Sequence, residues 1–234
     1  MRLDPYKYKI TELYNEPGWN ERRIQLLNEW CRASLRKQTN QNFIFVSLWQ
    51  SGQMADGGEL DNEIKIEIEH TGTIDDEPLD YDALINGKVG KKTLNFADQI
   101  RDKIRKLFKA PLLVTNLDAD DALHFQFVEK LQQTVSERDF DRTNPFYFST
   151  SNRYCYNIRT GKKGMKKTAS PSPSVSTWEP YINCFPLRYN HQYLGQWVPG
   201  VNVEGLIGLQ TVNDTNMFSR KVGEFTEFDL EDYV

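Results

Sequence analysis

Residues 111–121 read Pro-Leu-Leu-Val-Thr-Asn-Leu-Asp-Ala-Asp-Asp, an apolar run that ends on three acidic residues. The apolar part predicts a short buried strand. Apolar residues at helical spacing begin at Ala122 and predict a helix over residues 122–137. Open α/β sheets bind ligands beyond the carboxyl ends of their strands, so the sequence places a ligand site at this turn.

The acids Asp118, Asp120 and Asp121 indicate what the turn binds. Carboxylates this close together repel one another and are costly to desolvate unless a cation joins them. A divalent metal that carries a phosphorylated ligand meets both conditions. The alternative is helix capping, since acids interact favourably with the N-terminal end of a helix, but a cap requires only one acid.

Two other metal-dependent sites fit this segment less well. A phosphatase of the Asp-x-Asp-x-Thr type needs a hydroxyl where Leu123 stands. An EF-hand needs a glycine and a distal glutamate at spacings that are missing here.

Composition restricts the class of protein. The chain has 234 residues, 38% of them hydrophobic, which is enough to bury the core of one α/β domain. Its net charge of −4 gives no general attraction to nucleic acid or to an anionic membrane. Three widely spaced cysteines without a CxxC motif fit a reducing compartment. No apolar run approaches the roughly 18 residues of a membrane span, so we expect a soluble, cytoplasmic protein.

The remaining patterns predict a single domain over residues 1–234, in two halves, 1–121 and 122–234. The first half should hold strands at 7–11, 42–49 and 64–68 and helices at 21–37 and 93–109. The second half should hold a β-hairpin made of 144–150 and 152–159. It should continue into a mobile loop at 161–176, which is rich in Lys, Gly, Ser and Pro.

The segment Leu-Asp-Ala-Asp-Asp at 117–121 resembles the acidic motif of GT-A-type glycosyltransferases. More narrowly, the chain is similar to the rhamnosyltransferase-like family of these enzymes. The matching features are Arg23, Leu27, residues 34–35 and 38–39, Phe43, residues 113–123, residues 171–179 and, more weakly, residues 211–216. The resemblance implies an α/β fold of the GT-A-like (Rossmann-like) kind, with a mixed sheet flanked by helices. It also implies that residues 1–121 form a nucleotide-binding half and residues 122–234 an acceptor-side half.

The resemblance also implies a nucleoside-diphosphate sugar donor, held by Mn²⁺ or Mg²⁺, and a hydroxyl acceptor on a glycan or on modified nucleic acid. The donor would contact Thr11, Arg101, Asn116 and Asp118, and the metal would contact Asp118, Asp120 and Asn213. Asn116 stands where relatives have arginine, and Asn213 stands where they have a late histidine.

Catalysis would fall to Glu179 and Asp121. Transfer with inversion requires a carboxylate that takes a proton from the acceptor hydroxyl, and Glu179 is the candidate for that base. Asp121 would orient the metal ligand or touch the donor sugar. The lysines of the 161–176 loop would close over the diphosphate or attract an anionic acceptor, unless they only keep an exposed loop in solution; these are Lys162, Lys163, Lys166 and Lys167.

The predicted function is therefore a metal-dependent hexosyl- or deoxyhexosyltransferase. One alternative is a nucleotide- or carbohydrate-binding module that keeps the fold without catalysis. The other is a metal-dependent nucleotidyltransferase, which would release pyrophosphate instead of a nucleoside diphosphate.

Overall fold

The computed structural model describes residues 17–68, 91–150, 152–167, 174–184, 194–195, 197–212 and 224–234, without the side chains at 50, 91–97, 152, 166–167 and 224–225. The helices are α1 (Trp19–Leu26), a π-helical segment (Leu27–Arg32), α2 (Ala33–Arg36), α3 (Lys91–Leu107), α4 (Phe127–Glu137) and a 3-10 turn (Leu230–Asp232). The strands are β1 (Phe45–Gln50), β2 (Glu63–Ile68), β3 (Leu112–Thr115), β4 (Ala122–Leu123), β5 (Phe146–Ser149), β6 (Asn152–Asn157), β7 (Lys163–Lys167), β8 (Ser176–Glu179), β9 (Gly200–Asn202), β10 (Gly208–Val212) and β11 (Glu224–Phe225).

The described strands form three sheets. β1 and β2 make a parallel pair. The order β3-β8-β5-β9 makes a four-stranded sheet, in which β5 and β9 are parallel and the other pairs antiparallel. The order β11-β7-β6-β10-β4 makes a five-stranded sheet, in which only β6 and β10 are parallel. A mixed α/β fold is thus confirmed, whereas its GT-A-like arrangement stays a prediction.

Hydrophobic periodicity located most of the elements correctly. The helix predicted at 21–37 is the continuous run from α1 through α2, and the helix at 93–109 is α3. The alternation at 64–68 gives β2, where Ile66 and Ile68 are buried while Glu67 is exposed. The strand predicted at residues 7–11 lies outside the described residues.

Three predictions are wrong. The helix predicted from Ala122 begins at Phe127, because Ala122 and Leu123 pair with β10 as a short strand. The predicted hairpin does not form, because β5 and β6 belong to different sheets and β6 pairs with β7 instead. The loop predicted at 161–176 is wrong over residues 163–167, which form β7; there the Lys163 ammonium lies over the Phe228 ring and donates to the Phe228 carbonyl. The mobility of this segment stays a prediction.

Two polar anchors fix the first helices against the rest of the molecule. Arg32, in the π-helical segment, is fully buried and makes a two-point ion pair with Glu63 at 2.9 and 2.6 Å. Gln38, just after α2, donates to the His124 carbonyl at 2.9 Å and accepts from the Val128 N–H at 3.0 Å. The second contact satisfies an N–H at the start of α4, which has no partner within its own helix. The α1–α2 run is therefore held beside the turn that follows β3.

No helix in the described ranges combines the length and the apolar character that crossing a lipid bilayer requires.

Candidate functional site

The acidic turn between β3 and β4 is held from both sides. The Asn116 N–H donates to the Val175 carbonyl at 3.1 Å, and the Asp121 N–H closes the turn on the Asp118 carbonyl at 3.0 Å. From β10, the Thr211 N–H donates to Asp121 Oδ1 at 3.0 Å, and the Thr211 hydroxyl donates to the Asp120 carbonyl at 2.5 Å. The turn is therefore fixed in shape, and its carboxyl groups point in defined directions.

Asp120 is paired with an arginine. The Arg23 guanidinium reaches across from α1 and contacts both carboxylate oxygens, at 3.0 and 3.2 Å. The Asp120 side chain is only 6% exposed. One of the three negative charges is thus compensated by the protein itself, and this carboxylate is not open to a ligand in the described arrangement.

Asp118 and Asp121 carry the remaining charge, and the pKa of each is raised. For Asp121 the largest cause is burial, followed by the charges of Asp118 and Asp120. For Asp118 desolvation by surrounding protein comes first and the charge of Asp120 second, although its side chain opens to solvent. A hydrogen bond from Asn116 and the positive charge of Arg23 act in the opposite direction on Asp118.

Asp118 lies at the polar end of a large cleft. The cleft has a volume of about 1030 Å³. This is close to the upper limit of small-molecule sites, about 1,000 Å³. The cleft runs between β1, β3, the α1–α2 run, α3 and α4. Apolar side chains form most of its wall, among them Leu27, Leu113 and Phe127. Around Asp118 the wall is polar, because Asn116 hydrogen-bonds to Asp118 and Arg23, which lies over the Trp19 ring, pairs with the neighbouring Asp120; we call this part the polar end. Further polar residues also line the cleft: Asn20, Asn42, Ser47, Gln53, Thr115 and Gln132.

The donor set fits only one kind of metal site. Among the residues that the structure describes, no three or more His, Cys, Asp or Glu side chains are grouped to hold a metal ion. A Mg²⁺-type ion, however, uses one or two carboxylates and completes its shell with phosphates and water. Asp118 can supply such a carboxylate, whereas the predicted ligand Asp120 is bound to Arg23. The residues therefore fit an ion that arrives with a phosphorylated ligand.

Glu179, the predicted catalytic base, lies at the end of β8 and is fully buried. Its carboxylate accepts from the Thr177 hydroxyl at 2.9 Å and from the N–H groups of Asn183 and Cys184 at 2.7 Å. Cys184 has a φ of 54°, so the carboxylate stabilises a turn in the left-handed region. These contacts give Glu179 a structural role in place of the predicted catalytic one.

The other predicted residues are dispersed. Arg101 pairs with Asp98 at 2.6 Å and Asp102 at 3.0 Å on its own helix, and these contacts give it a local role in α3. Asp121, predicted to be catalytic, is 3% exposed and bound by Thr211. Asp121 therefore stabilises the turn through its hydrogen bond with Thr211. Thr11 and Asn213 lie outside the described residues. Thr211, two residues before Asn213, contacts Asp120 and Asp121 from the end of β10.

The sequence did not reveal three residues near the acidic turn. Trp19 and Asn20 line the cleft because α1 begins beside it, a placement that follows from packing rather than from a motif. Arg153 on β6 follows Asp118 and Asp121 by more than thirty residues, and its positive charge lowers the pKa of both. The one available signal was a single charged residue in an otherwise uncharged strand, Asn-Arg-Tyr-Cys-Tyr-Asn.

No protein-family model matches this chain, and no curated protein matches it in sequence. The resemblance to the rhamnosyltransferase-like family therefore remains a prediction that depends on the acidic motif.

Proposed function

We propose that the protein is a metal-dependent glycosyltransferase of GT-A-like architecture. It would transfer a sugar from a nucleoside diphosphate to a hydroxyl acceptor. The observation that carries the proposal is the position of Asp118. It is an open carboxylate with a raised pKa, directly beyond a strand end and at the polar end of a ligand-sized cleft.

The parts of the cleft suit the parts of such a donor. The apolar wall offers a surface for the base, and Trp19 offers a ring on which a base or sugar can stack. Asp118 at the polar end would hold the divalent ion, with Asn116 stabilising its ionised form. When bound, that ion would neutralise the charge that develops on the leaving diphosphate. Arg23 and Thr211 keep the other two acids in place.

The first experiment measures binding of UDP and dTDP by calorimetry, with and without Mn²⁺. We expect wild-type binding that requires the metal and is lost on chelation. Asp118→Asn should weaken it roughly 10–100-fold, the effect typical of a changed metal environment. Asp139→Asn, an exposed acid after α4, is the matched control and should bind as the wild type does. Equal affinity in Asp118→Asn and wild type, or no metal-dependent binding at all, would disprove the proposal.

Asp120→Ala is a poorer test. Asp120 is buried and paired, so its removal leaves Arg23 without its carboxylate partner. A loss of activity in that variant would not separate a chemical role from a damaged fold.

One observation favours a second candidate, a nucleotide- or carbohydrate-binding module without catalysis. Asp120 forms an ion pair with Arg23, and Glu179 is fully buried and hydrogen-bonded. Two predicted functional acids therefore have structural roles. Turnover separates the candidates. A transferase should slowly hydrolyse its donor in the presence of Mn²⁺ and release a nucleoside diphosphate, a nucleotidyltransferase would release pyrophosphate, and a binding module would release neither.

A further inference from the structure

A second pocket, of about 450 Å³, lies at the start of β6. Its volume is within the range of small-molecule sites. Strand β6, β7 and residues 202–207 form its walls. The polar residues that line it are Thr150, Arg153, Asn202 and Glu204, beside Tyr154 and Met165.

Arg153 is the cationic residue in the wall of this pocket. Within the described part of the chain, its side chain makes no hydrogen bond or ion pair, and its Nε atom is buried without an acceptor. The five N–H donors of an arginine form a planar fork that matches a carboxylate or a phosphate. A buried charged donor without an acceptor is unfavourable, so the pocket gains stability when a ligand supplies the oxygen atoms.

Strand β10 connects the pocket to the acidic turn, because it pairs with β6 on one side and with β4, directly after the turn, on the other. The charge of Arg153 also lowers the pKa of both Asp118 and Asp121. Arg153 nevertheless lines this pocket, whereas Asp118 lines the larger cleft. The two pockets share no lining residue, so the chain could hold one ligand in each.

The remaining walls restrict the ligand. Asn202 and Glu204 are exposed at the pocket, whereas Thr150 is only 7% exposed. A second negative charge on the ligand would be repelled by Glu204, but its carboxylate can accept hydrogen bonds from hydroxyl groups. A small polyhydroxylated molecule with one anionic group fits this set of contacts.

We propose that this pocket binds the acceptor through an anionic group, a phosphate or a carboxylate, held by Arg153. Anion binding depends only on the pocket. The identity of its ligand as the acceptor rests on the proposed glycosyltransferase function.

The test uses three probes: glucose 6-phosphate, glucuronate and glucose. Their binding to the full chain is followed by calorimetry or ligand-detected NMR. We expect one or both anionic sugars to bind the wild type more tightly than glucose, and the stronger of them identifies the anionic group. Arg153→Gln should weaken that binding about tenfold or more, and Arg153→Lys should do so less. Arg159→Gln, an exposed arginine after β6, is the control and should have no effect.

The same variants are titrated with UDP and dTDP in Mn²⁺. Arg153→Gln should keep most of the nucleotide affinity, and Asp118→Asn should keep the sugar-phosphate or sugar-acid affinity. If Arg153→Gln removes nucleotide binding and leaves the anionic sugars bound, Arg153 serves the donor and the proposal is wrong. It is also wrong if the anionic sugars bind no better than glucose, or bind equally well to Arg153→Gln.

Two further outcomes are informative. If no nucleotide binds the wild type but the anionic sugars bind through Arg153, the glycosyltransferase proposal and the acceptor assignment are overturned and the anion site is supported. If Arg153→Gln fails to fold by circular dichroism, Arg153→Lys decides. Unchanged binding in a folded Arg153→Lys variant, together with no effect of ionic strength, would overturn the proposal.

Discussion

Asp121 shows how a buried acid affects stability. Burial and the neighbouring charges of Asp118 and Asp120 raise its pKa well above the ordinary value of 3.8. Between that value and the raised pKa, the folded chain holds a proton that the unfolded chain has lost. The unfolding free energy therefore decreases as pH rises through this window.

Asp121→Asn cannot ionise, and its side-chain carbonyl can still accept from Thr211. We expect the decrease in unfolding free energy above about pH 4 to be smaller in this variant than in wild type. Urea unfolding at several pH values measures it. Asp141 is the control, because hydrogen bonds from Thr143 and Asn144 lower its pKa. Asp141→Asn should leave the slope above pH 4 unchanged, and equal slopes in wild type and Asp121→Asn would contradict the expectation.

The Arg32–Glu63 pair is the best-defined buried ion pair among the described residues, with side chains 0% and 1% exposed. Glu63→Gln removes the negative charge and leaves the guanidinium buried. We expect it to lower the unfolding free energy by about 3–5 kcal/mol, measured by denaturant titration. Asp56→Asn removes a fully exposed acid that contacts Lys65 at 3.3 Å and is the control. A Glu63→Gln variant as stable as Asp56→Asn would show that the pair contributes little.

The acids of the turn could be found from the sequence because they follow an apolar run directly. Their partners could not be found. Arg23 and Asp120 are 97 residues apart in the chain, and Thr211 is 90 residues from Asp121. Such pairs form only when helix α1 and strand β10 pack on the same turn, and local patterns do not contain that information. For the same reason, the sequence around Glu179 did not predict the three hydrogen-bond donors that its carboxylate contacts.

Long helices and one-sided strands have strong periodic signals, so α1–α2, α3 and β2 could be predicted. Strand β4 has only two residues and exists because β10 pairs with it. The apolar residues at Ala122 and Leu123 fit a helix and a strand equally well, and only the partner strand decides. Likewise, β5 and β6 are adjacent in sequence, but each pairs with strands of a different sheet.

The β5–β9 pair depends on a glycine. Gly200 lies opposite Tyr147, and a Cβ atom built at this position would come within 2.2 Å of the tyrosine ring. Gly200→Ala must therefore displace the ring, and we expect it to lower the unfolding free energy by about 1–3 kcal/mol. A double-mutant cycle with Tyr147→Ala, followed by chemical denaturation, tests the cause. The penalty of Gly200→Ala should largely disappear in the Tyr147→Ala background, and an unchanged penalty would point to the backbone instead.

At the level of the molecule, hydrophobic clusters of the described residues are shared between the sheets, and one of them joins Trp49 of β1, Leu123 of β4 and Phe148 of β5. Helix α3 packs on β2 through Ile100, Ile104, Ile66 and Ile68. Helix α4 packs with the π-helical segment in another cluster. Composition correctly indicated a mixed α/β chain with a substantial core. It gave no information on how the strands divide among sheets, because that division depends on long-range pairing.

The three cysteines, Cys31, Cys155 and Cys184, can report when the structure around them opens. All three are free thiols, and each is at most 1% exposed. Burial also raises the pKa of Cys31, and it raises that of Cys184 to about 12, which disfavours the reactive thiolate. Cys31 and Cys184 line the large cleft, whereas Cys155 lies on β6. Labelling of the first two by an alkylating reagent therefore reports opening of the cleft wall, and labelling of Cys155 reports opening of the five-stranded sheet. Mass spectrometry of the labelled peptides would then time the opening of each region separately, without any introduced label.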